Sequence, residues 1–302
     1  MTETLKIRLA TRKSELALVQ ARLAADALRA VGLDCEVVEV TSEGDRDVRS
    51  LVEIGGTGVF TKALEAAILD GRAYAAVHSA KDLPTRLPEN LFIAAALPRE
   101  DPRDVLVSRD GVLLADLPAG AIIGTSSARR AAAVGRLRPD LTVSPIRGNV
   151  PTRVRKVESG EFDAAVLAAA GLKRLGMEKA ITEVFESDIM PGAAAQGAIV
   201  IEAMRGGEFE PAISGVSDTA TFECITAERA VLRALGAGCH AAVGALAVAE
   251  GGGYFLRAEV LSADGAGCWR SEARFEAGGA EAAGVEAARA LLLQGAGEAL
   301  RE

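Results

Sequence analysis

Short β-branched or apolar runs alternate with helical patterns up to about residue 205, a rhythm that predicts mostly parallel sheets covered by helices. IRLAT reads as a strand, and Ser14 then caps a helix in which Leu16, Val19, Leu23 and Leu28 follow helical spacing until Gly32 ends it. CEVVEV is the next strand. A polar, glycine-bearing loop runs from Thr41 to Gly58, TKALEAAILDG predicts a helix from Thr61 with Gly71 past its end, and AYAAVHS and LFIAAAL add two strands. The charged REDPRD at 99–104 reads as a crossing, after which DVLVS, AIIGT, LTVSPI and FDAAVLAA restart the alternation. Two similar α/β units are implied, without a close sequence repeat between them.

The strand AIVIEAM at 198–204 can return to the first unit, which makes that domain discontinuous. From about residue 217 the pattern changes to one long helix, three hairpin-like strands (GALAVAE, YFLRAEVLS, CWRSEARFE) and a final helix, a small α+β domain. The predicted boundaries are 1–98 with 198–216 for domain 1, 103–193 for domain 2 and 217–302 for domain 3. A chain of 302 residues accommodates these at roughly 100 to 200 residues per domain.

Charge narrows the function. The chain carries 34 Lys and Arg against 42 Asp and Glu, so most of its surface repels a polyanionic backbone, and nucleic acid is not an expected partner. Cys35, Cys224, Cys239 and Cys268 show no metal-type spacing among themselves or with His78 and His240, which argues against a structural metal site. The opening MTETLKIRLATRKSE has charges throughout, unlike an export signal, so a reducing cytoplasm is expected. The longest uncharged run, Ala234 to Ala249, is broken by three glycines and contains His240, so no membrane span is expected.

Against this acidic background, Arg129, Arg130, Arg136, Arg138, Arg147, Arg153 and Arg155 crowd into one stretch. GTSSARR ends a strand and opens a helix, so its free N–H groups and serines can receive a carboxylate while Arg129 or Arg130 forks onto it. SPIRGNVPTR repeats the arrangement with Asn149 as cap and Pro151 in the first turn. The competing reading is that these arginines solvate helix faces. VHSAKDLP ends a third strand in Ser79, Lys81 and Asp82. Lys81 and Asp82 either pair at the surface or leave Asp82 as a lone carboxylate among cations, able to steady a developing positive charge. GAGCH sets Cys239 in a glycine-rich turn just beyond the long helix. His240 is badly placed to be its base, since neighbours on an extended strand point to opposite faces. Cys239 therefore reads either as a small buried residue or as an accessible thiol that holds a covalent group.

Taken in order, LATRKSELAL, GGTGVFTK, VHSAKDLP, REDPRD, GTSSARR, RPDL, RGNVPTR, LAAAGLKRLG, QGAIVIE and GAGCH resemble the hydroxymethylbilane synthase (porphobilinogen deaminase) family across nearly the whole chain. The resemblance implies an α/β fold: two periplasmic-binding-protein-like α/β domains plus a small C-terminal α+β domain. It implies a dipyrromethane cofactor joined through a thioether to Cys239. The implied activity condenses four porphobilinogen molecules head to tail with release of ammonia, by a cytoplasmic monomer, to give 1-hydroxymethylbilane. Loss of the aminomethyl nitrogen leaves an azafulvene cation, and Asp82 is the matched catalytic carboxylate. By the match, Lys81, Asp82, Thr125, Ser127, Arg129, Arg130, Gly148 and Arg153 meet the cofactor. Arg12, Ser14, Phe60, Ser79, Arg147, Arg153, Arg174 and Gln196 meet the substrate. The chain departs from the family pattern at Thr57, commonly lysine, in MPGAAAQGA, and after Cys239 where HAAVGA lacks a usual proline. The reading from another class is a non-catalytic bilobal binding protein for a small dicarboxylate.

Overall fold

Local start and stop signals act where the sequence puts them. In the computed structural model, which describes residues 6–41, 61–238 and 240–300, β1 (Ile7–Arg12) leads to Ser14, whose hydroxyl accepts the Ala17 amide at 3.3 Å and starts α1 (Glu15–Ala30). Gly32, at φ +88°, ends the helix by letting the Leu33 amide turn back to the Leu28 carbonyl at 3.1 Å. β2 (Cys35–Val40), α2 (Lys62–Leu69), β3 (Ala75–Ser79) and β4 (Leu91–Ala96) follow. Beyond the charged crossing come β5 (Asp104–Ser108), β6 (Ile122–Gly124), α3 (Ala128–Leu137), β7 (Thr142–Ser144), α4 (Val150–Glu158), β8 (Ala164–Ala168), α5 (Ala169–Arg174) and β9 (Glu183–Val184). The chain then forms β10 (Ile199–Met204), α6 (Glu210–Ser214), α7 (Thr219–Leu235), β11 (Val243–Glu250), β12 (Gly253–Leu261), β13 (Cys268–Phe275) and α8 (Ala280–Leu293).

Among the described residues the strands make three sheets, ordered β2-β1-β3-β10-β4, β7-β6-β8-β5-β9 and β11-β12-β13. In the first, β1 is parallel to β2 and β3, whereas β10 is antiparallel to β3 and β4. The second repeats this pattern: β6 is parallel to β7 and β8, and β5 is antiparallel to β8 and β9. Each is a mixed sheet, where the alternation of elements predicts a mostly parallel one. The physical reason is that β5 and β10 are delivered by crossing segments. The helical crossover that makes neighbouring strands parallel does not connect them to their partners.

The chain divides into two compact units, Met1–Arg99 with Ala198–Phe222, and Glu100–Gly197 with Glu223–Glu302. In the first, alternation along the strands sorts side chains to two faces. Leu9, Val77 and Ile201 pack with Ala24 and Leu28 of α1, while Ala10 and Ala76 pack with Leu64 and Ile68 of α2. In the second unit Leu106, Ile123 and Val166 pack with Ala133 and Val134 of α3, and Val105, Ala165 and Leu167 pack with Val154 and Val157 of α4. The three-stranded sheet keeps its own core of Val243, Ala245, Leu256 and Val260 with Ala287 and Leu291. Its β12–β13 turn also presses on α3: a Cβ on Gly265 would lie 2.5 Å from the Ala132 carbonyl oxygen.

Candidate active site

In the first unit, parallel pairing sets the ends of β1 and β3 side by side, with Leu9 opposite Ala75. β1 ends at Arg12, followed by the Ser14 cap; β3 ends at Ser79, followed by a single 3-10 turn, Ala80–Asp82. These strand ends enclose a pocket whose wall includes Arg12, Ser14, Gln20, His78, Ser79 and Asp82. Such a position, at the carboxyl ends of parallel strands, is where α/β sheets bind ligands. Asp82 and Lys81 are exposed. The Ser79 hydroxyl is tied to the Gln20 carboxamide by bonds of 2.8 and 3.1 Å, which fixes α1 against the end of β3. Gln20 and His78 are pocket residues that the sequence reading did not select. Gln20 had a legible signal: it is a polar residue at helical spacing with Ala24 and Leu28, on what the structure shows to be the buried face of α1.

In the second unit, Thr125, Ser126 and Ser127 carry the chain from β6 into α3. The Ser127 hydroxyl accepts the Arg130 amide at 3.4 Å, and the Thr125 hydroxyl accepts the Ser127 amide at 3.2 Å. Arg129 and Arg130 are buried in the first turn, where both grip Asp104. Arg129 Nη2 donates to Asp104 Oδ2 at 2.6 Å, and Arg130 Nη2 and Nε donate to Oδ1 at 2.7 and 3.1 Å. Their remaining donors reach the carbonyls of Pro191, at 2.7 Å, and Val166, at 3.0 Å. Gln196 Nε2 adds a bond to Asp104 Oδ1 at 2.9 Å and another to the Pro102 carbonyl at 2.8 Å. Burial alone would raise the Asp104 carboxyl, but the two guanidinium groups outweigh it and hold the acid far below the usual carboxylate range. Burial pulls the Arg129 guanidinium down, opposed by Asp104.

The forks expected on ligand carboxylates are thus committed largely to Asp104. Two cations against one buried anion still leave an excess positive charge. Arg129 Nε is a buried donor with no partner among the described residues.

At the second junction Asn149 caps α4 by accepting the Thr152 amide at 3.0 Å, with Pro151 in the first turn. Gly148 sits at φ +110°, and a Cβ there would come within 2.6 Å of the Thr152 side chain. Its carbonyl accepts Arg153 Nε at 2.8 Å, and Arg147 is exposed. Half-buried Arg174 donates to the Gly197 carbonyl at 2.6 Å, and burial lowers its pKa. Arg138 serves the fold, binding the carbonyls of Leu114, Ala115 and Leu117. His240 is exposed, while Phe60, Thr57 and Cys239 lie outside the described residues.

The donor set suits a ligand rich in carboxylates. The GTSSARR junction offers helix N–H groups, hydroxyls, surplus positive charge and the buried Arg129 Nε; Arg147 and Arg153 flank a glycine whose missing side chain leaves the backbone accessible. Acetate and propionate side chains on a dipyrromethane fit such donors.

The fold is a mixed α/β architecture whose donor set fits a multiply carboxylated ligand. Two family models match the chain: "Porphobilinogen deaminase, dipyromethane cofactor binding domain" over residues 7–209, and "Porphobilinogen deaminase, C-terminal domain" over 222–293. The porphobilinogen deaminase of Sorangium cellulosum is 48% identical over 273 residues, 89% of this chain and 91% of that protein. That of Moorella thermoacetica is 46% identical over 304 residues, 99% of this chain and 96% of its own length. Among solved structures, a methionine binding protein aligns with a TM-score of 0.45 at 13% identity, over 70% of this chain and 89% of that one.

The chain belongs to the porphobilinogen deaminase family. It is a transferase with a dipyrromethane cofactor that condenses four porphobilinogen molecules head to tail, releasing ammonia and giving 1-hydroxymethylbilane for tetrapyrrole biosynthesis. The dicarboxylate-binding alternative is not favoured.

Proposed function

We propose that Asp82 is the electrostatic centre of this reaction and that Cys239 anchors the cofactor through a thioether. When bound, the dipyrromethane supplies the pyrrole terminus to which substrate is added. As the substrate's aminomethyl C–N bond breaks, its electron pair leaves with nitrogen, and the Asp82 carboxylate steadies the positive charge left behind. Arg12, Ser14 and Ser79 of the first unit receive substrate carboxylates. Ser127, Thr125, Arg129 and Arg130 of the second receive those of the cofactor, through helix N–H groups, hydroxyls and net charge. The enzyme works as a cytoplasmic monomer without nucleic acid or membrane. Among the described residues no helix is long and apolar enough to cross a membrane.

The observation that carries the reading is the exposed Asp82 in the wall of a pocket it shares with Arg12 and Ser14. Asp82→Asn keeps size and hydrogen-bonding capacity but removes the charge, so ammonia release should fall by about two to three decades. Its melting temperature should stay near wild type. A variant releasing ammonia at more than about a third of the wild-type rate ends the assignment, given the decades expected. Cys239→Ser should fold yet show no covalent increment by intact mass spectrometry, because an alcohol is a far poorer nucleophile than a thiolate.

A further inference from the structure

We propose that His78, Glu202 and Glu65 form a proton acceptor behind the Asp82 pocket, with His78 as the member that meets the pocket. Alternation puts His78 and Glu202 on the same sheet face as Ala76, against α2, opposite to the face that carries Val77. His78 is 6 % exposed, Glu202 0 % and Glu65, from α2, 9 %. His78 Nε2 lies 3.0 Å from Glu202 Oε2. Glu65 Oε1 and Glu202 Oε1 are buried without a hydrogen-bond partner among the described residues. Of the three, only His78 contributes to the pocket wall, together with Arg12 from β1 and Asp82 from the turn that follows β3. Lys62 and Thr61 flank Glu65 at the start of α2, Lys81 neighbours Asp82, and α1 lies on the other face and presents Gln20 to Ser79.

Two buried carboxylates beside one imidazole cannot both ionise cheaply, since each gives up most of its hydration. Burial pushes the Glu65 carboxyl up, against the Thr61 hydrogen bond, and the Glu202 charge adds to the rise. Glu202 Oε2, 3.0 Å from His78 Nε2, is placed to accept a hydrogen bond from the imidazole when it carries a proton delivered from the pocket. The reaction releases such a proton. At each addition a C–C bond forms between the aminomethyl carbon and a pyrrole α-carbon, the C–N electron pair departs on nitrogen, and the α C–H pair returns to the ring. The freed proton passes to His78 and then to solvent as ammonia leaves.

This inference rests on the Asp82 pocket being the reaction site, so its test separates the two. In the cofactor-loaded enzyme, His78→Gln should lower kcat for ammonia release by about 100-fold or more with KM within about twofold, and should lose the acid-side fall of the wild-type pH–rate profile. Melting curves followed upward from about pH 4, the ordinary carboxyl range, give a readout independent of turnover. A carboxyl whose pKa is raised by folding contributes stability that is fully present below its unfolded pKa and is lost as pH rises through the folded value. Glu65→Gln is neutral throughout and lacks that loss, so its melting temperature relative to wild type should climb with pH. Wild-type kcat and pH profile in His78→Gln, or a Glu65→Gln difference independent of pH, overturns the proposal. Full activity in Asp82→Asn overturns the pocket assignment instead, and the melting test still decides whether the cluster holds its proton.

Discussion

The two five-stranded sheets share one strand order and one pattern of directions, yet they place opposite chemistry at the same point. The last residue of β3, Ser79, pairs with Ile199, and the last residue of β8, Ala168, pairs with Asp104. Ile199 joins the apolar core beneath α1. Asp104, wholly buried on the α3 side, instead collects Arg129, Arg130 and Gln196. The topology therefore tolerates a charge at this core position only because the adjoining helix begins with two arginines. On the other helical face the first sheet buries two acids with an imidazole, whereas the second sheet buries apolar side chains. A shared fold fixes where side chains meet; the residues placed there fix what they do.

Exchanging the two environments gives the largest expected effect. Ile199→Asp puts a carboxylate into the apolar cluster under α1, an unpaired buried charge that should cost more than about 4 kcal/mol and prevent a cooperative melting transition. A normal melting curve would show that the first sheet admits water at this point. Next, Asp104→Asn leaves two guanidinium groups buried without their counter-ion and should cost about 3 to 5 kcal/mol. Glu202→Gln removes one of two crowded acids and should cost only about 1 to 3 kcal/mol. Denaturant titration of both variants checks the order, and an equal loss would erase the contrast between the sheets.

The smallest effect lies at the charged crossing. Arg103 forks onto Asp101 with two bonds of 2.9 Å, and these, with help from Lys173, bring its carboxyl down to about 2 against the opposing effect of burial. A carboxyl depressed by folding contributes stability that is present above its ordinary value near 4 and is lost as pH falls through about 2. Asp101→Asn should therefore be less stable than wild type at neutral pH, by no more than about 1 kcal/mol because Arg103 is partly solvated. The gap should close between about pH 4 and 2, as followed by acid-denaturation curves.

Several features were legible in the residues themselves. Ser14 and Asn149 were readable as caps, Gly32 as a stop and REDPRD as a crossing. Each of these signals acts over one to four residues, the range of a helix turn or a strand repeat. The ordered motifs carried the family. Tertiary structure alone decided that Asp104 pairs with both Arg129 and Arg130, that the fourth strand of each sheet runs antiparallel, and that His78 meets Glu202 across 124 positions of sequence. A charge carries no mark of its partner in the sequence. Only folding sets which opposite charge lies within about 3 Å, and only burial makes that choice matter, since water screens an exposed pair and leaves a buried one at full strength.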